Sequence, residues 1–123
     1  MGYTNTILIV DDSELILKVL GFVIKKAGYE VLSACDGKDA LDLFDGRDID
    51  LVFTDLNMPN MDGAELIGQI RLKEDYQYMP AVLFIPDNEK GRKEIMETSG
   101  ATMLLDKNNI REKIIPTIQN LLS

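Results

Sequence analysis

The chain has 123 residues, of which 46% are hydrophobic and 28% charged, a balance typical of one folded domain. Acidic residues outnumber basic ones by 21 to 13, so a direct nucleic-acid partner, which needs clustered Lys and Arg, is not expected. The single cysteine, Cys35, excludes a disulfide within the chain and suits a cytoplasmic protein. The apolar runs are far shorter than the ~20 residues of a membrane-spanning helix, and no signal peptide is evident. We therefore expect one cytoplasmic domain over residues 1–123, without membrane insertion.

Short unbroken apolar runs alternate with amphipathic segments, beginning with a predicted strand over residues 7–10 that two acidic residues end. A helix follows over residues 13–26, then a second strand over 31–34 and a short helix that begins near residue 37. A third strand is predicted over residues 51–54 and ends at an aspartate. The residues assigned to the inward face of the first helix are Leu15, Val19, Phe22 and Val23.

The second half of the chain repeats this alternation after a loop that contains proline and glycine. Gly100 is expected to end the fourth helix in the left-handed conformation, as Gly28 ends the first. Pro116 lies within the last predicted helix and is expected to kink or split it, because proline lacks a backbone donor. The remaining predicted elements are a helix over 64–73, a strand over 81–85, a helix over 88–99, a strand over 102–105 and a helix over 109–122.

Five repeats of strand and helix predict a parallel sheet with helices on both faces, the doubly wound α/β class. In such sheets ligands bind outside the carboxyl ends of the strands. Asp11 and Asp12 follow the first predicted strand, and Asp55 follows the third. If these two strands are neighbours, the three carboxylates converge in one crevice. Lys107, which follows the fifth strand, has the reach to bring a positive charge to the same edge.

Converging carboxylates call for a cation, because two like charges ~4 Å apart cost ~4 kcal/mol at an effective dielectric constant near 20. Mg²⁺ meets this need, since it takes oxygen ligands and binds phosphates beside carboxylates. A carboxylate next to a metal ion and a lysine can attack a phosphoryl group and become an acyl phosphate. Taken singly, Asp11 and Asp12 fit a helix cap better, Asp55 fits a turn and Lys107 fits a surface charge. The functional interpretation depends on their conjunction.

Four motifs together resemble the receiver domain of two-component response regulators, and the resemblance covers essentially the whole chain. The stretch Asp-Leu-Asn-Met-Pro-Asn-Met-Asp-Gly at residues 55–63 is most similar to the stand-alone chemotaxis (CheY-like) regulators. The resemblance implies a flavodoxin-like (βα)5 fold with strand order 2-1-3-4-5. The segments that carry it are Ile-Leu-Ile-Val-Asp-Asp-Ser at 7–13, Phe-Thr-Asp at 53–55 with the stretch above, Gly-Ala at 100–101, and Lys107.

The resemblance also implies roles for individual residues. Asp55 is the expected phosphoacceptor, and a histidine kinase is the expected donor. Asp12 and Asp55 supply carboxylates to Mg²⁺, Asn57 supplies its backbone carbonyl, and Asp11 binds the ion directly or through a water. Lys107 contacts the phosphoryl group. The signal is expected to leave through the surface built by the fourth helix, the fifth strand and the fifth helix, toward a target that the sequence does not name.

Two positions depart from the family's pattern at the residues that report phosphorylation. Ile85 stands at the end of the fourth strand, where receivers usually carry Thr or Ser. Leu104 stands in the fifth strand, where they usually carry an aromatic residue. Pro86 and Asn108 also replace a small residue and a proline. A hydrogen bond to a charged group is worth ~1.5–3 kcal/mol, and Ile85 has no hydroxyl to form such a bond with the phosphoryl group. We therefore hypothesise that Asp55 is phosphorylated while the usual coupling between phosphorylation and conformation is altered.

Two other functions stay open. A receiver-like fold that binds its partner constitutively, without phosphorylation, is favoured by Ile85 and Leu104 and disfavoured by the intact acids and lysine. A metal-dependent hydrolase of doubly wound fold would need further acid or base residues. The chain contains no histidine, and no further acid is placed to act as a general acid, so this function is disfavoured.

Overall fold

The computed structural model describes residues 4–122, in which five strands alternate with five helices as the sequence predicts. The strands are β1 (Thr6–Val10), β2 (Glu30–Ala34), β3 (Leu51–Asp55), β4 (Ala81–Ile85) and β5 (Met103–Asp106). The helices are α1 (Glu14–Lys26), α2 (Gly37–Asp42), α3 (Gly63–Arg71), α4 (Arg92–Ser99) and α5 (Ile110–Leu122), with a 3-10 turn at Glu74–Tyr76. No described helix is both long and apolar enough to cross a membrane.

All strands pair in parallel in the order β2-β1-β3-β4-β5, so the expected doubly wound, CheY-like fold is confirmed. The three inner strands are almost wholly buried because helices cover both of their faces, which accounts for their unbroken apolar sequences. Helices α1 and α5 pack on one face of the sheet, and α2, α3 and α4 pack on the other. The carboxyl ends of the strands are therefore framed by loops on a rigid, buried sheet.

Helix α1 buries a different face from the one predicted. Leu15 is 70% exposed and Phe22 is 64% exposed, whereas Leu20 and Ile24 form part of the core. Helix α1 itself carries apolar residues on nearly all of its faces. Its hydrophobic periodicity is therefore compatible with two apolar stripes, either of which could face the core. The assignment of Leu15 and Phe22 to the inward face was wrong, while Val23 does pack against the core.

Two helix boundaries also differ from the prediction. Helix α4 begins at Arg92 and not at residue 88, because Gly91 takes a left-handed φ of 77° that no helix can continue through. Pro116 was expected to kink or split helix α5; the helix runs through it as one element, so the split was wrong, while the kink stays a prediction. Pro116 is exposed. Water can therefore hydrogen-bond to the carbonyl of the preceding turn, which has no donor because proline lacks a backbone N–H. The predicted left-handed glycines are confirmed, with φ of 101° at Gly28 and 83° at Gly100.

Candidate phosphoryl and metal site

Three carboxylates and one lysine meet at the carboxyl edge of the sheet. Asp11 follows β1 directly, Asp12 is the next residue, and Asp55 is the last residue of β3. One carboxylate oxygen of each lies within 4.8 Å of the others. From the end of β5, Lys107 Nζ reaches Asp55 Oδ2 at 3.1 Å and Asp11 Oδ2 at 3.6 Å. The structure thus brings together the four side chains that the sequence singled out.

Strand pairing determines why these side chains meet. In the parallel register Val10 of β1 lies beside Thr54 of β3, so the residues that follow, Asp11 and Asp55, leave the sheet side by side. The amide of Lys107 donates to the carbonyl of Ile85 at 3.0 Å and fixes the start of the loop that carries the lysine. Three strands contribute the four charges, and the sheet sets their spacing.

Asp11 and Asp12 are not the cap of helix α1. Ser13 is the N-cap residue, and its hydroxyl oxygen accepts from the amide of Ile16 at 3.3 Å. Asp11 instead accepts through Oδ1 from the amide of Ser13 at 2.9 Å, and its other oxygen, Oδ2, lies 3.6 Å from Lys107 Nζ. Asp12 is exposed at the rim. Helix capping therefore does not account for the two acids in this chain, because a serine performs that task.

Burial makes the acidic cluster electrostatically strained. Asp11 is 2% exposed and Asp55 is 4% exposed. Within residues 4–122, Asp11 Oδ2 is buried without a hydrogen-bond donor. Burial raises the pKa of Asp11, and neighbouring acids add to this effect, although the Ser13 amide and Lys107 oppose it. Burial alone would lower the pKa of Lys107, but its contacts with Asp55 and Asp11 raise it above the ordinary value.

A buried carboxylate oxygen that accepts no hydrogen bond, in a cluster with two further carboxylates, is an environment that a hard cation would relieve. The donor set consists of oxygens only, as Mg²⁺ prefers. The exposed residue Asn57 stands two positions after Asp55, on the loop that rims the same crevice. The residues present therefore fit a magnesium ion, with the waters that this ion usually keeps.

The loop after β3 packs tightly against the backbone of Asp55. A Cβ atom at Gly63 would overlap the carbonyl oxygen of Asp55 and come within 2.7 Å of Leu83 Cδ2. The amide of Gly63 donates to the carbonyl of Leu56 at 2.9 Å, and Asp62 caps α3 in a reciprocal pair with Glu65. Glycine at position 63 is therefore a steric requirement of the site, which its Asp-Gly loop signature did not reveal.

The two atypical positions lie in the core beside the site. Ile85 is fully buried and belongs to the apolar cluster under α3 and α4, and Leu104 packs against the same cluster. Above them Arg92 Nη2 donates to Asp106 Oδ1 at 2.8 Å and to the carbonyl of Asp87 at 3.1 Å. It also lies 3.5 Å from the carbonyl of Pro86. Sequence reasoning missed this arginine, because the contact depends on where α4 begins.

A second cluster of possible metal ligands lies at the end of β2. It comprises Cys35, Asp36 and Asp39, whose ligand atoms lie within 4.8 Å of one another. Asp36 is the N-cap of α2 and accepts from the amide of Asp39 at 2.8 Å, so helix capping accounts for its position. The arrangement of this cluster therefore requires no metal ion.

A doubly wound parallel sheet with three acids and a lysine at its carboxyl edge defines a receiver-type signalling domain. The sequence agrees with this class, since residues 7–119 match the profile of the response regulator receiver domain. The chain belongs to that family, and it is a receiver domain of two-component signalling. Domains of this kind work with histidine kinases and bind Mg²⁺ in their acidic pocket.

Two curated relatives illustrate how such domains occur. The polar-differentiation response regulator DivK of Brucella ovis is 28% identical over 119 residues, which cover 97% of both chains. The CAI-1 autoinducer sensor kinase/phosphatase CqsS of Vibrio cholerae is 33% identical over 114 residues, which cover 92% of this chain. The aligned part spans only 17% of the length of CqsS. The chain is thus similar to a whole small regulator and to one segment of a large sensor.

Solved structures agree with the fold. The chemotaxis protein CheY4 of Vibrio cholerae superimposes with a TM-score of 0.90 at 30% sequence identity, covering 97% of this chain and 99% of CheY4. The receiver domain of the sensor histidine kinase PA1611 of Pseudomonas aeruginosa gives a TM-score of 0.87 at 22% identity, covering 98% of each chain. That structure is described with a magnesium ion in its active-site cleft.

Proposed function

We propose that this chain is a phosphoacceptor module in which Asp55 takes a phosphoryl group from a histidine kinase in the presence of Mg²⁺. The observation that carries the proposal is the contact of Asp55 Oδ2 with Lys107 Nζ at 3.1 Å, beside the buried Asp11 Oδ2, which accepts no hydrogen bond. The carboxylate nucleophile of Asp55, the ammonium group of Lys107 and an oxygen of Asp11 that could bind a metal ion therefore lie close together. We also take residues 1–123 to act as one receiver unit in the cytoplasm.

In the proposed reaction an oxygen of Asp55 attacks the phosphorus of a phosphohistidine. The P–N bond breaks as the new O–P bond forms, and the imidazole leaves and takes up a proton. The chain supplies positioning and charge more than acid–base chemistry, as is usual in phosphoryl transfer. When bound, Mg²⁺ neutralises charge on the transferring phosphoryl oxygens.

Each side chain of the cluster has a part in this proposal. Asp11, Asp12 and Asp55 would hold the metal ion, together with the backbone carbonyl of Asn57. Lys107 would move from the carboxylates to a phosphoryl oxygen, where its positive charge stabilises the negative charge of the phosphoryl group. Binding of the cation would offset the repulsion within the acidic cluster and would leave Lys107 free to contact the phosphoryl group.

A constitutive interaction domain is the second candidate. It is supported by Ile85 and Leu104, which fill the reporting positions with packed apolar side chains and leave no hydroxyl there to meet a phosphoryl group. In this alternative Asp55 would stay unmodified and the partner would bind equally well with or without a phosphodonor. The hydrolase alternative gains no support, since the chain has no histidine to serve as a general base.

Intact mass after incubation with acetyl phosphate and Mg²⁺ tests the proposal. We expect a phosphoryl-sized gain in the native chain, no gain when Mg²⁺ is chelated and no gain in Asp55→Asn. Asp48→Asn, which removes an exposed acid away from the site, is the matched control and is expected to behave as the native chain. No gain in the native chain would favour the constitutive interaction domain.

A further inference from the structure

The loop between β3 and α3 is closed at its base by hydrogen bonds to the sheet. We call residues 57–62, which lie between Leu56 and Gly63, the β3–α3 loop. The amide of Leu56 donates to the carbonyl of Phe84 at 3.0 Å, and the carbonyl of Leu56 accepts from the amide of Gly63 at 2.9 Å. Both ends of this short loop are therefore fixed.

Two methionines hold the β3–α3 loop from within. Met58 is 9% exposed and belongs to the apolar cluster under α3. Met61 packs against the same cluster, and its amide donates to the carbonyl of Pro59 at 2.8 Å. Asn60, which lies between Pro59 and Met61, has a left-handed φ of 71°, so the tip of the loop is a tight turn. A displacement of Met61 would therefore be passed to the rest of the loop.

Met61 lies against Gly37, the first residue of α2. A Cβ atom at position 37 would lie 2.8 Å from Met61 Sδ and 3.0 Å from both its Cβ and its Cγ. Carbon atoms in ordinary contact are about 3.5–4.0 Å apart. Because Met61 Cβ is bonded to the loop backbone, a change of side-chain rotamer cannot relieve all of this overlap. A side chain at position 37 would therefore push the loop itself.

Space for Met61 accounts for glycine at position 37. The φ of Gly37 is not left-handed, so its backbone conformation does not require glycine. Glycine is also a poor helix former, and alanine would suit α2 better on that account. Gly68 of α3 provides the contrast, since a Cβ atom there would meet no atom within 4 Å. The two glycines therefore differ in the one property that matters here, contact with the β3–α3 loop.

The β3–α3 loop carries Asn57, whose backbone carbonyl is a metal ligand in the proposed function. Asn57 stands between Leu56, which is fixed to β4, and the buried Met58. Mg²⁺ requires nearly ideal octahedral geometry with ligands at about 2.0–2.1 Å. Even a small shift of the loop would therefore weaken this ligand, whereas Asp55 would stay in place because it belongs to β3.

We propose that Gly37 is a positioning residue for the magnesium site, because the space it leaves for Met61 sets the position of the loop that carries the Asn57 carbonyl. The inference rests on the proposed function for the role of Asn57 as a ligand. It extends the site to α2, which contributes none of the four charged side chains. Metal affinity would thus depend on a contact between two uncharged residues outside the acidic cluster.

The metal-free protein tests whether Gly37 positions the loop. In Gly37→Ala we expect the amide chemical shifts of residues 57–62 to move, because the added methyl group displaces Met61. Gly68→Ala is the matched control, since it adds the same group where it meets no atom, and its loop shifts should equal the native ones. Unchanged loop shifts in Gly37→Ala would overturn the proposal.

Titration with Mg²⁺, followed through the amide shifts of Asp11 and Asp12, measures the effect on the site. Loss of a group that orients a metal ligand typically weakens binding 10–100-fold, so we expect Gly37→Ala to raise the dissociation constant roughly tenfold. Gly68→Ala should bind as the native chain does. Equal affinity in Gly37→Ala and the native chain would overturn the proposal. A native chain that does not bind Mg²⁺ would overturn it together with the proposed function.

Truncation of Met61 tests whether Gly37 acts through it. Met61→Ala deletes the Cγ and Sδ atoms that a Cβ at position 37 would overlap. In that background Gly37→Ala should raise the dissociation constant for Mg²⁺ by no more than about twofold, because the two substitutions affect one shared contact. An equal increase in both backgrounds would show that Gly37 acts by another route, which contradicts the proposal.

The rate of phosphorylation by acetyl phosphate separates this inference from the proposed function. Asp55 ends β3 and Lys107 follows β5, so the sheet sets their positions. We therefore expect Gly37→Ala to react slowly at limiting Mg²⁺ and to recover the native rate at saturating Mg²⁺. A rate that stays low at saturating Mg²⁺ would show damage to the reacting groups and contradict a positioning role. If the native chain binds Mg²⁺ but takes no phosphoryl group, the proposed function fails, and the Mg²⁺ titrations still decide the role of Gly37.

Discussion

Replacement of Asp11 by Asn should stabilise the metal-free protein while abolishing its response to Mg²⁺. Asparagine keeps the oxygen that accepts from the Ser13 amide, and it removes the charge from the buried Oδ2, which accepts no hydrogen bond. Repulsion from an Asp55 oxygen within 4.8 Å is about 3 kcal/mol at an effective dielectric constant of 20. Attraction to Lys107 Nζ at 3.6 Å is of similar size, about 5 kcal/mol at the same dielectric constant.

The attraction exceeds the repulsion by roughly 1–2 kcal/mol, so the ionised form is disfavoured only if desolvation of the carboxylate outweighs this difference. The raised pKa of Asp11 shows that its ionised form is the disfavoured one in the folded chain. We therefore expect Asp11→Asn to raise the free energy of unfolding by about 1 kcal/mol in chelator at neutral pH, or roughly 4 °C in melting temperature.

The stabilisation should depend on pH. A carboxyl group whose pKa is raised by folding penalises the folded state only when it is ionised. The advantage of Asp11→Asn should therefore vanish below the ordinary Asp value of 3.8 and reach its full size at pH values above the raised pKa. Thermal unfolding in chelator at several pH values measures this difference directly.

Mg²⁺ should reverse the order of stability. A ligand at 100 times its dissociation constant stabilises the folded state by about 2.7 kcal/mol, so the native chain should gain and Asp11→Asn should not. Asp48→Asn, an exposed acid remote from the cluster, should follow the native chain in both conditions. The reasoning is refuted if Asp11→Asn melts at or below the native temperature in chelator and still responds to Mg²⁺.

Three further substitutions probe neighbouring parts of the site. Lys107→Ala should slow the mass gain from acetyl phosphate at least tenfold, because no cation then meets the phosphoryl oxygens, and a time course of intact mass measures it. Ile85→Thr should lower the free energy of unfolding by about 1–3 kcal/mol more than Ile85→Val in urea titration, since its hydroxyl is buried in an apolar cluster. Gly63→Ala should destabilise the fold by about 2 kcal/mol or more in the same assay, because its Cβ overlaps the carbonyl of Asp55, whereas Gly68→Ala should not.

The sheet and the position of the site were predictable because buried parallel strands have a distinctive sequence. An unbroken apolar run such as residues 7–10 or 51–54, stopped by an acid, is typical of a strand buried on both faces, and that acid must lie at the carboxyl edge. Asp11, Asp55 and Lys107 are brought together by the strand order, which the resemblance implied and the structure confirms. Local sequence was sufficient to place each charge at this edge, and the strand order was needed to bring the charges together.

Helix faces and helix starts were less predictable, because they depend on contacts distant in sequence. Both stripes of α1 are apolar, and only packing against the sheet selects Leu20 and Ile24 over Leu15 and Phe22. Helix α4 begins after the left-handed Gly91, and its first residue, Arg92, contacts a β5 residue 14 positions away. No local propensity encodes such a pair, and Asn88 is by itself a good N-cap residue.

Mapping of the phosphorylated residue tests the central claim most directly. The native chain would be treated with phosphoramidate, whose P–N bond is the same type as that of phosphohistidine, in the presence of Mg²⁺, and the modified position located by tandem mass spectrometry. We expect one phosphoryl group, on Asp55, and no modification in samples in which Mg²⁺ is chelated. Modification at another residue, or an equal yield in Asp55→Asn, would contradict the account.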